Sequence, residues 1–167
     1  GVERAVVLSS IAAQSDRGTG ILRANHVMEK RLAGSRVPIT WLRAGYFFEN
    51  FAPAVETMRL TETLPSLFDD LHRPVPMVSL ADIGTTAAKL MTEAWFGRRL
   101  VELAGPNHTT PHGAAQAFGL ALDRTIRAEI VPRDGWAAYL EGCGHGPQVA
   151  HAIAEMHDGF NAGVVRF

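Results

Sequence analysis

The chain alternates short apolar runs with longer segments of helical periodicity. Arg4 to Ser10 (Arg-Ala-Val-Val-Leu-Ser-Ser) is apolar and β-branched, then breaks into polar residues, as a strand buried on both faces does. The loop Gln14 to Gly20 leads into a predicted helix from Ile21 to Ala33, closed by Gly34. Pro38 to Leu42 predicts a second strand, ending at Arg43-Ala44-Gly45. A helix over Asn50 to Thr61 follows, with Phe51, Val55 and Met58 spaced by four and three. Leu64 to Arg73, rich in Pro and Asp, predicts a loop. Val75 to Val78 predicts a third strand, and Ser79 and Asp82 offer N-cap oxygens to a helix over Ile83 to Glu93. Arg99 to Ala104 predicts a fourth strand. Thr110-Pro111 opens a helix to Leu122, with proline at its first position. Ile126 to Val131 predicts a fifth strand, and helices over Asp134 to Leu140 and Pro147 to Phe160 close the chain. Strands alternating with helices at this pitch predict an α/β fold with a mainly parallel sheet.

Composition narrows the function classes. Of 167 residues, 47% are apolar and 20% charged, as in an ordinary globular domain. A formal net charge of −1 gives no bulk attraction to nucleic acid or to anionic membranes. One cysteine, Cys143, excludes an internal disulfide framework and a multi-cysteine zinc site. No apolar run approaches the ~20 residues of a membrane helix, and a cytoplasmic, reducing compartment is the expectation.

The usual chemical motifs are absent. No glycine-rich phosphate loop joins a strand to a helix; Gly142 to Gly146 follows no strand and reads as an inter-helix turn. His108 and His112 flank a helix start, and His151 and His157 fall on different helix sides, so no metal site is expected. Ser9-Ser10 lacks the glycines of a nucleophile elbow.

Two segments stand out. At ~100° per residue, Ile21, Met28 and Leu32 gather on one face of the first helix, with Asn25 within it and Glu29 beside it. His26 and Lys30 rotate toward the polar side. Buried polar groups need partners, so Asn25 and Glu29 either hold a ligand or cap local backbone. The second segment, Thr40 to Phe51, ends a strand and follows it with Tyr46, Phe47, Phe48, Glu49 and Asn50. On composition alone these aromatics read as a cover over the sheet. They also lie at a strand's carboxyl end, where open parallel sheets bind ligands.

Several stretches resemble the NmrA-like family, atypical relatives of the short-chain dehydrogenase/reductases. They are Val2 to Ser10, Glu29 to Leu32, Val37 to Arg43, Phe48 to Asn50, Val78 to Gly84 and Pro132 to Trp136. The resemblance implies a Rossmann-type doubly wound sheet that binds NAD(P), with NADP(H) the expected form, and a small α/β substrate region. It divides the single partial domain into a Rossmann half over 1–61 and the remaining strands and substrate region over 62–167. It implies that Gly1 enters just before the fourth strand, so the pyrophosphate-binding loop is not in this chain. It assigns Ser9, Asn25, Gly45, Tyr46, Phe47, Phe48, Glu49 and Asn50 to the cofactor and acceptor. Asn25 and Glu29 stand where the related dehydrogenases carry Tyr and Lys, and Asn cannot act as a general acid. The resemblance thus implies either an NAD(P)H-dependent oxidoreductase for a quinone-like small-molecule acceptor, or a non-catalytic sensor with a protein partner. It also leaves Arg4–Ser9 as a free, apolar sheet edge, so weak NADPH binding and self-association are expected of this chain.

Overall fold

The computed structural model describes residues 1–167. Ala5–Ser10 (β1), Ile39–Ala44 (β2) and Arg98–Leu103 (β6) form a parallel sheet in the order β1-β2-β6. Between them in sequence lie the short strands Tyr46–Phe47 (β3), Thr63–Ser66 (β4) and Met77–Val78 (β5); Arg127–Ile130 (β7) follows. β3 pairs with β5 and β4 with β7, both in parallel. The helices are Arg23–Leu32 (α1), Val55–Thr61 (α2), Leu80–Thr92 (α3), Pro111–Leu122 (α4), Trp136–Gly142 (α5) and Pro147–Asn161 (α6). The α/β fold is that of a Rossmann-like parallel sheet. No helix is long and apolar enough to cross a membrane.

Alternation along the strands sets the layers. Leu42 and Ala44 of β2 point to one face, where they meet Val78 and the α3 residues Ile83 and Leu90, with Val6, Val101 and Leu103 beside them. Ser9 and Arg43 point to the opposite face, toward α1. The main core lies beyond the sheet: Met58, Leu64, Phe68, Val75, Met77, Ala115 and Phe160 pack where α2, α4, β4 and α6 converge. α3 and α4 begin as the sequence requires, with Ser79 and Thr110 hydroxyls accepting the Asp82 and Gly113 amides.

One expected loop contains a strand. Thr63–Ser66 pairs with β7, with Pro65 opposite Glu129. Proline is compatible with a two-stranded sheet, since each strand there has an edge that needs no N–H.

The turn into α1 is fixed by close packing. Gly20 has φ +51°, and a Cβ there would collide with the Ala152 carbonyl oxygen and the Met156 amide of α6. Gly20→Ala should therefore destabilise the fold by roughly 2–3 kcal/mol in urea unfolding. Gly34, with open space around it, is the control, and its alanine variant should unfold almost as the parent does.

Candidate functional site

The site grows from one pair of neighbouring strands. β1 and β2 run in register with Ser9 opposite Arg43, one residue from each strand's carboxyl end. Glu29 of α1 lies over both. Its Oε1 accepts from the Ser9 hydroxyl (2.6 Å) and from Arg43 Nε (2.9 Å), and its Oε2 accepts from Arg43 Nη2 (2.7 Å). Arg43 Nη1 donates to Gln14 Oε1 (3.1 Å), and Gln14 Nε2 donates to the Arg166 carbonyl (2.8 Å). The Ala12 amide donates to that same carbonyl, with Ala12 held at φ +66°. Strand, helix, loop and chain end thus meet in one polar network at the edge where parallel sheets bind ligands.

The electrostatics follow from the burial. Only 12% of each of the Glu29 and Arg43 side chains is exposed. Burial opposes the charge on Glu29, but the Arg43 and Ser9 hydrogen bonds outweigh it and hold the carboxyl below its ordinary range. Arg43 is raised in turn, chiefly by its hydrogen bonds to Glu29. Glu29 is thus a fixed carboxylate at neutral pH and offers no proton.

The helix is rotated relative to the sequence expectation. Glu29, and not the Ile21–Met28–Leu32 stripe, marks its inward side; Ile21 and Leu32 are 41% and 37% exposed. The sheet presents a hydroxyl and a guanidinium here, so the polar side of α1 finds partners and the apolar stripe is left outside. His26, expected to turn toward solvent, is half-buried with Nδ1 2.9 Å from the Ala13 carbonyl. Lys30 is exposed, as expected. Asn25 is half-buried.

The residues after β2 diverge. Gly45 is required, because a Cβ would meet the Pro76 carbonyl. Tyr46 enters an aromatic cluster with Phe51, Phe68, His157 and Phe160, at centroid separations of 5.6–6.1 Å. Burial pushes its phenol well above the ordinary range, against the opposing effect of its hydrogen bond with Asn50, so the phenol stays protonated. Phe47 packs on the opposite, α3 side of the sheet. Phe48 and Asn50 are exposed, and Glu49 accepts the Leu80 amide at the start of α3 (2.9 Å). Glu29 and Ser9 are thus brought together, whereas Tyr46, Phe47 and Glu49 point into three different environments.

Sequence reasoning missed Arg43, Gln14 and His26. Arg43 had a signal: the lone charge in a strand otherwise uncharged from Ile39 to Ala44 must have a partner. His72 and His112, with ring centroids 5.2 Å apart, also met without a sequence cue. They join no larger cluster of metal-ligating groups.

No protein-family model matches the chain, and no curated protein matches it. Solved structures do. An NADPH-dependent quinone oxidoreductase from Escherichia coli superposes on 100% of the chain with TM-score 0.82 at 22% identity, and its NADPH complex with TM-score 0.80 at 24%. Triphenylmethane reductase from Citrobacter superposes on 99% with TM-score 0.79 at 15% identity. The chain spans 60%, 58% and 57% of the length of these structures. At such identities the likeness establishes a shared fold.

Proposed function

We propose that this chain is the acceptor-side portion of an NAD(P)H-dependent reductase, with its reaction centre beside Ser9, Asn25 and Glu29. The observation that carries the reading is the buried Ser9–Glu29–Arg43 network at the carboxyl ends of adjacent parallel strands. It sits in a fold shared with an NADPH-dependent quinone oxidoreductase and a triphenylmethane reductase.

The residues present fit the nicotinamide end of the cofactor. The half-buried Asn25 side-chain amide has the donor and acceptor that a carboxamide requires. They do not fit its pyrophosphate. The glycines before α1, Gly18 and Gly20, are packed against α6 and leave no amide cradle. When bound, the dinucleotide would supply the hydride. The chain's own part is to orient and to exclude protons: Arg43 and Ser9 fix Glu29 as an anion, and Asn25 hydrogen-bonds without ionising. With no carboxylic acid and no ionisable phenol free to act, the site suits a flat conjugated acceptor whose reduced form needs no proton from the protein at the moment of transfer.

The same lack of an acid favours a second reading, in which the chain senses the dinucleotide and signals to a protein partner. One experiment separates them. The chain is mixed with reduced nicotinamide mononucleotide and a panel of planar quinones, and nicotinamide oxidation is followed by absorbance. The reductase reading predicts acceleration over the protein-free rate, lost in Asn25→Leu. Binding without acceleration supports the sensor, and neither binding nor acceleration contradicts both.

A further inference from the structure

We propose that His72 and His112 form a two-histidine site for a divalent transition-metal ion, apart from the Ser9–Glu29–Arg43 network. The two imidazole rings stand 5.2 Å apart between centroids, with their planes tilted by 44°. Imidazole nitrogen binds such ions at about 2.0–2.1 Å, which puts each ring centre about 3.2 Å from the ion. Two rings at the tetrahedral angle around one ion then have centres about 5.2 Å apart. The spacing of His72 and His112 matches that value.

The backbone holds both residues at this spacing. Val75 and Thr109 exchange hydrogen bonds as an antiparallel bridge (2.9 and 3.1 Å). Three residues back from Val75 and three on from Thr109, His72 comes opposite His112. The two arms stay tied there, because the His112 amide donates to the Leu71 carbonyl (2.9 Å). The His72 amide donates to Asp70 Oδ1 (2.9 Å). Arg73 then anchors the turn to the end of α6, its guanidinium donating to the Phe160 and Asn161 carbonyls (3.4 and 3.2 Å). His112 is the second residue of α4, whose start is fixed by Pro111 and the Thr110 cap. Little is left for the ion to order beyond the two rings.

Chemistry selects the ion. Neutral imidazoles suit Zn²⁺, Cu²⁺ and Ni²⁺, whereas Mg²⁺ and Ca²⁺ require oxygen ligands. Asp70, beside His72, makes no ion pair within the chain, so its charge offsets the positive end of α4. Both histidines are exposed, and water completes the coordination. The bound ion clips the turn before Val75 to α4. The site does not depend on the proposed reductase chemistry.

Titration calorimetry of the whole chain with Zn²⁺, and with Mg²⁺ as the control ion, tests it. The expected result is one Zn²⁺ bound per chain and no binding heat from Mg²⁺. His72→Gln and His112→Gln should each weaken Zn²⁺ binding by at least about tenfold. Cys143→Ser and His145→Gln, which remove the other soft ligands that lie close together in sequence, should leave it unchanged. Absence of Zn²⁺ binding, equal binding of Mg²⁺, or binding that survives in His72→Gln or His112→Gln would overturn the proposal.

Discussion

Arg43→Ala is expected to cost the fold about 3 kcal/mol, because it leaves the Glu29 carboxylate buried without its counter-ion. The pair lies over the junction of β1, β2 and α1, and each side chain is only 12% exposed, so water cannot replace the lost partner. The double variant Glu29→Gln with Arg43→Met should regain most of the loss, since it removes both charges together. Urea unfolding of the parent, Glu29→Gln, Arg43→Met and the double variant gives the coupling between the two residues. The pH dependence adds an independent reading. The folded-state pKa of Glu29 is lowered, so its contribution is complete above the unfolded carboxylate value and fades as pH falls through the folded one. In Arg43→Ala the burial is opposed chiefly by the Ser9 hydrogen bond, so the Glu29 carboxyl titrates higher than in the parent. The gap between parent and variant should therefore narrow as the solution is acidified below the carboxylate range. A gap that stayed constant with pH would show that Arg43 acts through packing rather than charge.

The second large effect belongs to His157. Its ring is buried among Tyr46, Phe68, Trp136 and Phe160, and Nδ1 has no hydrogen-bond partner. Burial pushes its pKa down to about 4, with Asp158 opposing. The unfolded chain takes up this proton near the ordinary value of about 6.5, so it holds more protons than the folded chain between these two values. Stability should accordingly fall as pH drops from about 6.5 to 4, by roughly 3 kcal/mol at the lower end, and this contribution should then level off. His157→Phe, which keeps an aromatic ring in an aromatic cluster and removes the titration, should flatten that window. The steepest loss from Glu29 lies at lower pH, so the two residues are separable in a single series of unfolding curves. An unchanged slope in His157→Phe would place the acid sensitivity elsewhere.

These two residues also mark what was legible in the sequence. The strands at Ala5 and Ile39 follow from apolar, β-branched runs and the one at Arg98 from loose alternation, while the helices at Leu80, Pro111 and Pro147 follow from the Ser79 and Thr110 caps and from proline at first helical positions. β4 was hidden because Pro65 and the following Asp-rich stretch carry loop chemistry, and only pairing with a strand over sixty residues away overrides it. The site was legible in part. Glu29 and Ser9 were singled out, and they share a hydrogen bond. The orientation of α1 was misread because an apolar stripe ordinarily marks the buried side; here the strands beneath offer Ser9 and Arg43, and the polar side faces in. That Arg43 would be the counter-ion depended on the β1–β2 register, which no local pattern encodes.

On the proposed function, the carboxyl edge of β1 and β2, together with Asn25 and Glu29 of α1, receives the nicotinamide end of the cofactor. Amide chemical shifts of the isotope-labelled chain, titrated with reduced nicotinamide mononucleotide, report on it residue by residue. The account predicts saturable shifts at Ser9, Ala13, Gln14, Asn25, Glu29 and the Gly45–Tyr46 turn, with the α4 and α5 amides unmoved. Shifts centred on α4 or α5, or none at saturating ligand, would contradict it.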